Sequence, residues 1–327
     1  MAESTPVARA RALAAIRRRC SGASPVAVGR ARVPAEARIV VHFHPDRLHH
    51  SQSLLSALAA SGVYQSQFVT GTSNGGLTAF PGGDRFRWES RIFEGAYDEA
   101  SAEETPTYGA LLASGQGAAS YGAAPRFGSA YLRLKPEVME RVTFCRPDSV
   151  FLPEHFGHAS DLSALDGARI PSDDPLDDYT EAHLHGPLIV ARDVEAIVLD
   201  PSFEGGPVAA EARLLAPVVR HKGYRLSQET LAANADYRGP EVVALGQRIA
   251  VSVLTPRDLG AFARREPDHD PQTLKRLSVR SISRQLPSVA SFPPISLRSE
   301  KWSPRTFVKW AAMPSFRTSR ATGSTTT

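Results

Sequence analysis

The chain has 327 residues, 42% hydrophobic and 22% charged, a balance that fits a soluble globular protein with apolar material for one large domain or two ordinary ones. Its two cysteines, Cys20 and Cys145, exclude a disulfide framework and a paired-cysteine metal knuckle, and point to folding in a reducing cytoplasm. No apolar run reaches the roughly 18 residues of a bilayer span, and the Arg-rich start lacks the apolar core of a signal peptide, so the expectation is a cytoplasmic protein that leaves the cell, if at all, by a non-classical route.

The net charge of +4 is unevenly spread. In chain order, Val7 to Cys20 reads as a basic peripheral helix. Arg38 to Pro45 reads as a buried strand stopped by its proline, and Ser51 to Ala60 as a short helix with Leu54, Leu55 and Leu58 at helical spacing, closed by Ser61-Gly62. Gln67 to Thr70 reads as extended chain before the loop Gly71 to Gly76. Further strands are expected at Ser129–Leu134, Arg141–Phe144, Thr180–His185, Ala196–Leu199 and Val218–His221, with helices near Val208–Leu215, Ser227–Ala233 and Pro240–Val251. Strands dominate the middle without alternating with helices, so the pattern indicates an α+β fold rather than an eightfold β/α barrel. From Pro271 onward the charged residues are basic except for Glu300, amid many Ser, Thr and Pro, which is a disorder signature. The expected organisation is therefore a basic extension over 1–36, a folded body over 37–268 and a basic tail over 269–327. The tail's electrostatic reach to nucleic acid is the weaker reading of that charge.

Three stretches have the composition of a site. The strand Glu181-Ala182-His183-Leu184-His185 places a carboxylate and two imidazoles on one face. His42 and His44 stand two apart at the end of another strand, an arrangement that suits a zinc ion if His183, His185, His221 or Asp46 joins them, and equally suits hydrogen bonding to backbone. Gly71 to Gly76 offers glycines and the hydroxyl and amide groups of Thr72, Ser73 and Asn74 to an anion, but lacks a P-loop lysine. Beyond it Arg85, Trp88, Glu89 and Arg91 interleave charge with an aromatic ring over flexible backbone, as a charged planar ligand requires.

The segments His42-Phe43-His44-Pro45-Asp46-Arg47, Gly71 through Asp98, Tyr108 to Leu112, Pro125 to Leu134 and His221 to Gly246 resemble a bacterial family of unknown function, domain-of-unknown-function family 3626. The order Arg141-Val142-Thr143-Phe144, Asp148-Ser149, Glu181 to Leu188 and Asp193 to Pro201 resembles the distal half of bacterial ADP-ribosyltransferase toxins and effectors, including those that modify threonine in ubiquitin. The resemblance covers roughly His42 to Ala250 and neither tail.

That resemblance implies a compact ADP-ribosyltransferase-like core with a mixed or antiparallel sheet and NAD as the substrate-cofactor, without a metal. It implies Glu181 as the catalytic carboxylate, His44 or Arg47 as the group that grips NAD, and Thr143 and Ser149 as hydroxyls of the supporting strand. Thr72, Ser73, Asn74, Arg85, Glu89 and His183 complete the expected NAD-binding set. His183 stands where a Gln or Glu is usual, which leaves the acceptor side chain open. The partner implied is a target protein, with ubiquitin one such target. Two other readings stand beside the transferase: a metal-dependent hydrolase built on His42, His44 and His183 or His185, and a non-enzymatic nucleotide-binding or interaction module.

Overall fold

The computed structural model describes residues 7–21, 32–49, 52–71, 78–113, 120–166, 168–172, 174–233, 239–250 and 252–266, with single positions 268, 269, 274 and 277 beyond them. In chain order it runs α1 (Val7–Ser21), β1 (Arg38–Phe43), the small hairpin β2 (Leu48–His49) and β3 (Gln52–Ser53), α2 (Leu54–Ser61) and β4 (Val63–Tyr64). A single turn α3 (Gln67–Thr70), α4 (Asp84–Ile92), β5 (Thr107–Leu112), β6 (Ala130–Leu134), β7 (Val142–Arg146), β8 (His155–His158) and β9 (Glu181–Leu184) follow. The distal part is β10 (Leu188–Ile189), α5 (Val190–Asp193), β11 (Val194–Leu199), α6 (Pro207–Leu215), β12 (Val218–Arg220), β13 (Leu226–Ser227), α7 (Gln228–Ala232), α8 (Pro240–Ile249), β14 (Val253–Leu254) and α9 (Pro256–Arg265).

Eight of these strands form one sheet in the order β12-β11-β6-β1-β5-β9-β7-β8. Every neighbouring pair is antiparallel except β11 with β12 at one rim. The fold is α+β with a mixed, mostly antiparallel sheet. Alternation along β1 sends Ile39, Val41 and Phe43 to one face, where they meet Leu132 and Leu134 of β6, Leu55 and Leu58 of α2 and Ala209 and Ala212 of α6. Val40 faces the other way, among Ala110, Tyr131, Tyr179 and Val198. Helix α2 begins where the Ser53 hydroxyl accepts from Ser56 N and ends at Gly62, whose φ of 69° favours a residue without a Cβ. Burying Leu55 and Leu58 stabilises the fold by roughly 1.5–3 kcal/mol each.

Several expectations need correction. Gln67–Thr70 is a helical turn capped by Gly71 in the left-handed region, not extended chain. The stretch around Arg85 is a helix: Asp84 favours its N-terminal end and Arg91 its C-terminal end, and Arg85, Glu89 and Ile92 recur at helical spacing with the last two buried. Helix α1 matches its expected span, but its Ala12, Ile16 and Cys20 are buried with Phe93, Tyr97, Cys145 and Phe156, so this helix is part of the folded body rather than of an extension. Nor does the body end at 268. Leu277 is fully buried among Leu231, Val242, Leu245 and Phe262. Trp302, Phe307, Trp310 and Phe316 of the basic tail lie outside the described residues.

Candidate functional site

The middle of the sheet is split. Pairing between β1 and β5 covers Arg38 with Leu112, Ile39 with Leu111 and Val40 with Ala110, and stops there, although β1 continues to Phe43 and β5 starts at Thr107. A cleft of about 290 Å³ opens along this split. Its walls include Val40, His42 and Phe43 of β1, Thr107 to Ala110 of β5, Leu54, Ala57 and Leu58 of α2, and the aromatic rings of Tyr64, Phe127 and Tyr179. His44, Arg47, Arg85 and Glu181, expected from sequence to act together, all line it. Thr72, Ser73 and Asn74 lie outside the described residues.

Glu181 stands at the inner wall because of register. It pairs across the ladder with Ala110 of β5 and Cys145 of β7, and two residues on His183 pairs with Tyr108 and Thr143. With a period of two, Glu181 and His183 share a face, and His183 Nε2 lies 3.0 Å from Glu181 Oε1. The same carboxylate accepts from Ser149 N at 3.2 Å, from the Ser149 hydroxyl at 3.3 Å and from the Cys145 thiol at 3.5 Å. Arg85 donates from Nη1 to the Ser149 hydroxyl at 3.0 Å, so the serine links guanidinium to carboxylate. Burial alone pushes the Glu181 carboxyl up; the hydrogen bond from His183, then the Arg85 charge and the Ser149 hydroxyl, reverse that and hold it below the usual carboxylate value.

Its neighbours behave in the opposite way. Burial raises the Glu89 carboxyl to about 8 against the pull of Arg85, and burial plus the charge of Glu181 raises Asp148 to about 6. The Tyr179 hydroxyl donates to Asp148. Burial first, then Glu181 and Asp148, push the Cys145 thiol well up. Glu181 is therefore the most acidic of these three carboxyls. The Arg85 guanidinium lies 4.1 Å from the centre of the Tyr108 ring. Glu89 and the Tyr108 hydroxyl interact electrostatically with Arg85 and each other, yet Glu89 Oε1 and that hydroxyl are both buried without a hydrogen bond of ordinary geometry.

Behind Glu181 the polar groups continue. Thr143 Oγ1 lies 3.2 Å from His183 Nδ1 and 2.9 Å from His185 Nε2, and His185 Nδ1 lies 2.7 Å from the Tyr97 hydroxyl. Phe93 packs edge-on against both imidazoles, and Tyr97 stacks on His185. Tyr97, Tyr108, Cys145, Asp148 and Tyr179 were not anticipated as site residues, and His185 was expected only as a metal ligand of the hydrolase reading. The period-two pattern of β9 carried the signal for His183 and His185; the others become neighbours only through strand register.

The histidine metal cluster does not assemble. His42 points Nδ1 at the Gly128 carbonyl at 3.0 Å and accepts from Ala124 N at Nε2, 3.2 Å away, and burial drives its pKa down to about 3. His221 makes the same kind of backbone bonds, to the Ser129 carbonyl and from Gly223 N. Asp46 is held by Arg264 of α9, whose Nη1 is 3.1 Å from its carbonyl. Among the described residues, ligand atoms of Cys145, Glu181 and His183 do lie within 4.8 Å of one another, near enough to converge on a cation. They also satisfy one another directly through the bonds given above.

No helix of the described residues is long and apolar enough to cross a membrane. Residues 38–168 and 160–285 match a family of proteins of unknown function, DUF3626, and the chain belongs to that family. No curated protein matches the chain.

Proposed function

We propose that this protein is an NAD-dependent mono-ADP-ribosyltransferase with an ADP-ribosyltransferase-like fold, acting on a protein side chain in the manner of bacterial toxins and effectors. One observation carries the reading: Glu181, 5% exposed, is kept ionised by named partners at the inner wall of an aromatic-lined cleft. In the reaction the bond from ribose C1 to the nicotinamide nitrogen breaks, its electron pair leaving with nicotinamide, while an acceptor oxygen bonds to C1 and gives up its proton. Positive charge grows on the ribose before the new bond is complete. A fixed carboxylate that is already desolvated stabilises that charge more than it stabilises bound NAD, which is what lowers a barrier. Arg85 and Ser149 hold the carboxylate in place; His44 or Arg47, both on the cleft wall, grips NAD. A hydroxyl acceptor, with a ubiquitin threonine the one the resemblance points to, enters from the open side.

A metal-dependent hydrolase is the second reading, favoured only by the convergence of Cys145, Glu181 and His183. Incubation of the purified protein with NAD labelled in the adenylate half and a cell extract separates the two. The transferase moves label onto protein with release of nicotinamide, and does so after exhaustive chelation. Stoichiometric zinc in the protein, with activity lost on its removal, overturns this reading in favour of the hydrolase. Nucleotide binding without turnover leaves an interaction module instead.

A further inference from the structure

We infer that Thr143, His185 and Tyr97 are positioning residues, forming with His183 a one-way hydrogen-bonded chain that fixes the Glu181 carboxylate. The inference rests on the transferase reading only for its kinetic consequence. The chain runs Tyr97, His185, Thr143, His183, Glu181, with successive contacts of 2.7, 2.9, 3.2 and 3.0 Å. His183, His185 and Thr143 are completely buried and Tyr97 nearly so.

Its direction follows from the last member. An ionised carboxylate only accepts, so His183 Nε2 must donate to Glu181. In a neutral imidazole the other nitrogen then accepts, which makes the Thr143 hydroxyl the donor to His183 Nδ1. That hydroxyl has one proton, so it must accept from His185 Nε2. His185 Nδ1 is left to accept, and the Tyr97 hydroxyl donates to it. With both imidazoles neutral, each carries its proton on Nε2. Burial, with the charges of Arg9 and Arg141 adding to it, keeps the pKa of His185 well below its ordinary value and so keeps it neutral.

Reversing the chain would transfer a proton from Tyr97 to Glu181. Burial, with Glu89 adding to it, pushes the tyrosine pKa up, while Glu181 is held down, so the reversed arrangement is disfavoured at both ends. Thr143 is the pivot: one hydroxyl sets the tautomer of one imidazole and is oriented by the other. Positioning of a histidine by such a partner is how a catalytic tautomer is commonly fixed.

The test has a readout that needs no substrate. In nitrogen-15 spectra of the full chain, His183 and His185 are expected as neutral Nε2–H tautomers. Thr143→Val, which keeps the shape and removes the hydroxyl, is expected to give His183 a mixed tautomer population, and Thr143→Ser to restore the single one. With NAD, Thr143→Val is expected to lower kcat about tenfold, the scale of a supporting partner, with KM unchanged, and Thr143→Ser to recover it. An Nδ1–H tautomer at either histidine overturns the chain. So does a Thr143→Ser variant as impaired as Thr143→Val, which would make the effect one of packing. If NAD is not turned over but the spectra follow the expected pattern, the chain stands and the transferase reading falls.

Discussion

The protein carries two His-x-His segments, His42 with His44 at the end of β1, and His183 with His185 at the end of β9. In the first, His42 spends both ring nitrogens on backbone, the Gly128 carbonyl and Ala124 N, while His44 lies past the strand on the cleft wall. In the second, both imidazoles bond side chains, and the chain they form ends on an ionised carboxylate. The difference comes from what stands opposite. Along β1, His42 pairs with Tyr131 and lies beside a loop that brings Gly128 close; β9 lies between Thr143 of β7 and Tyr108 of β5. An identical spacing thus makes a staple for a loop in one place and a support for a reactive group in another.

The largest expected effect breaks the comparison at its functional end. Glu181→Gln keeps size and several hydrogen bonds but removes the charge, so NAD cleavage should fall on the order of 100-fold or more in a protein whose circular dichroism is unchanged. Wild-type turnover would take Glu181 out of the mechanism. At the structural end, His42→Leu strands a buried carbonyl and a buried N–H, and urea denaturation should show a loss of about 2–4 kcal/mol.

The C-terminal boundary sharpens the account of what belongs to the folded body. Ending the chain at Asp270 removes Leu277, which is fully buried, and should lower stability by about 2–4 kcal/mol, as loss of a core leucine does. A chain ending at Pro287 should melt as the full chain does. Equal melting of all three would put the boundary back near 268.

A pH-dependent effect concerns Glu89. Burial raises its carboxyl from 4.5 in the unfolded chain to about 8, so between those values the folded protein holds a proton that the unfolded chain has released. Stability contributed by that proton is present at low pH, falls as pH rises through this window and levels off above it. Glu89→Gln removes the fall. Its melting temperature should gain on wild type between about pH 5 and 8, and a constant difference would show that Glu89 ionises at its ordinary value.

Much of the fold was legible because its strands follow rules local to the chain. Arg38–Phe43, Ala130–Leu134 and Val194–Leu199 are apolar runs that stay strands in the sheet, and Pro207 and Pro240 open the two distal helices that were expected. Strand β5 escaped notice because Gly109 and Ala110 have low strand preference. Gly109 is required there: a Cβ would come within 2.7 Å of the Val40 carbonyl. Strand β8 was missed because His155-Phe156-Gly157-His158 is short and carries a glycine at a sheet rim. At the site, Glu181, His183, Arg85 and Ser149 were named from sequence and prove to be in contact. Tyr97 and Cys145 were not, since their nearness to Glu181 and His185 depends on the folded path of segments far apart in the chain.

The opening between β1 and β5 also bears on how the protein keeps to itself. A strand edge without a partner invites another chain to zip onto it, and proteins usually guard such edges at the rims of their sheets. Here a break in pairing lies in the interior of an eight-stranded sheet, walled by α2 and by the rings of Tyr64, Phe127 and Tyr179. A foreign strand cannot lie down in so short and enclosed a gap, whereas a small polar molecule can. The break therefore gives the cleft main-chain surface without exposing a long adhesive edge.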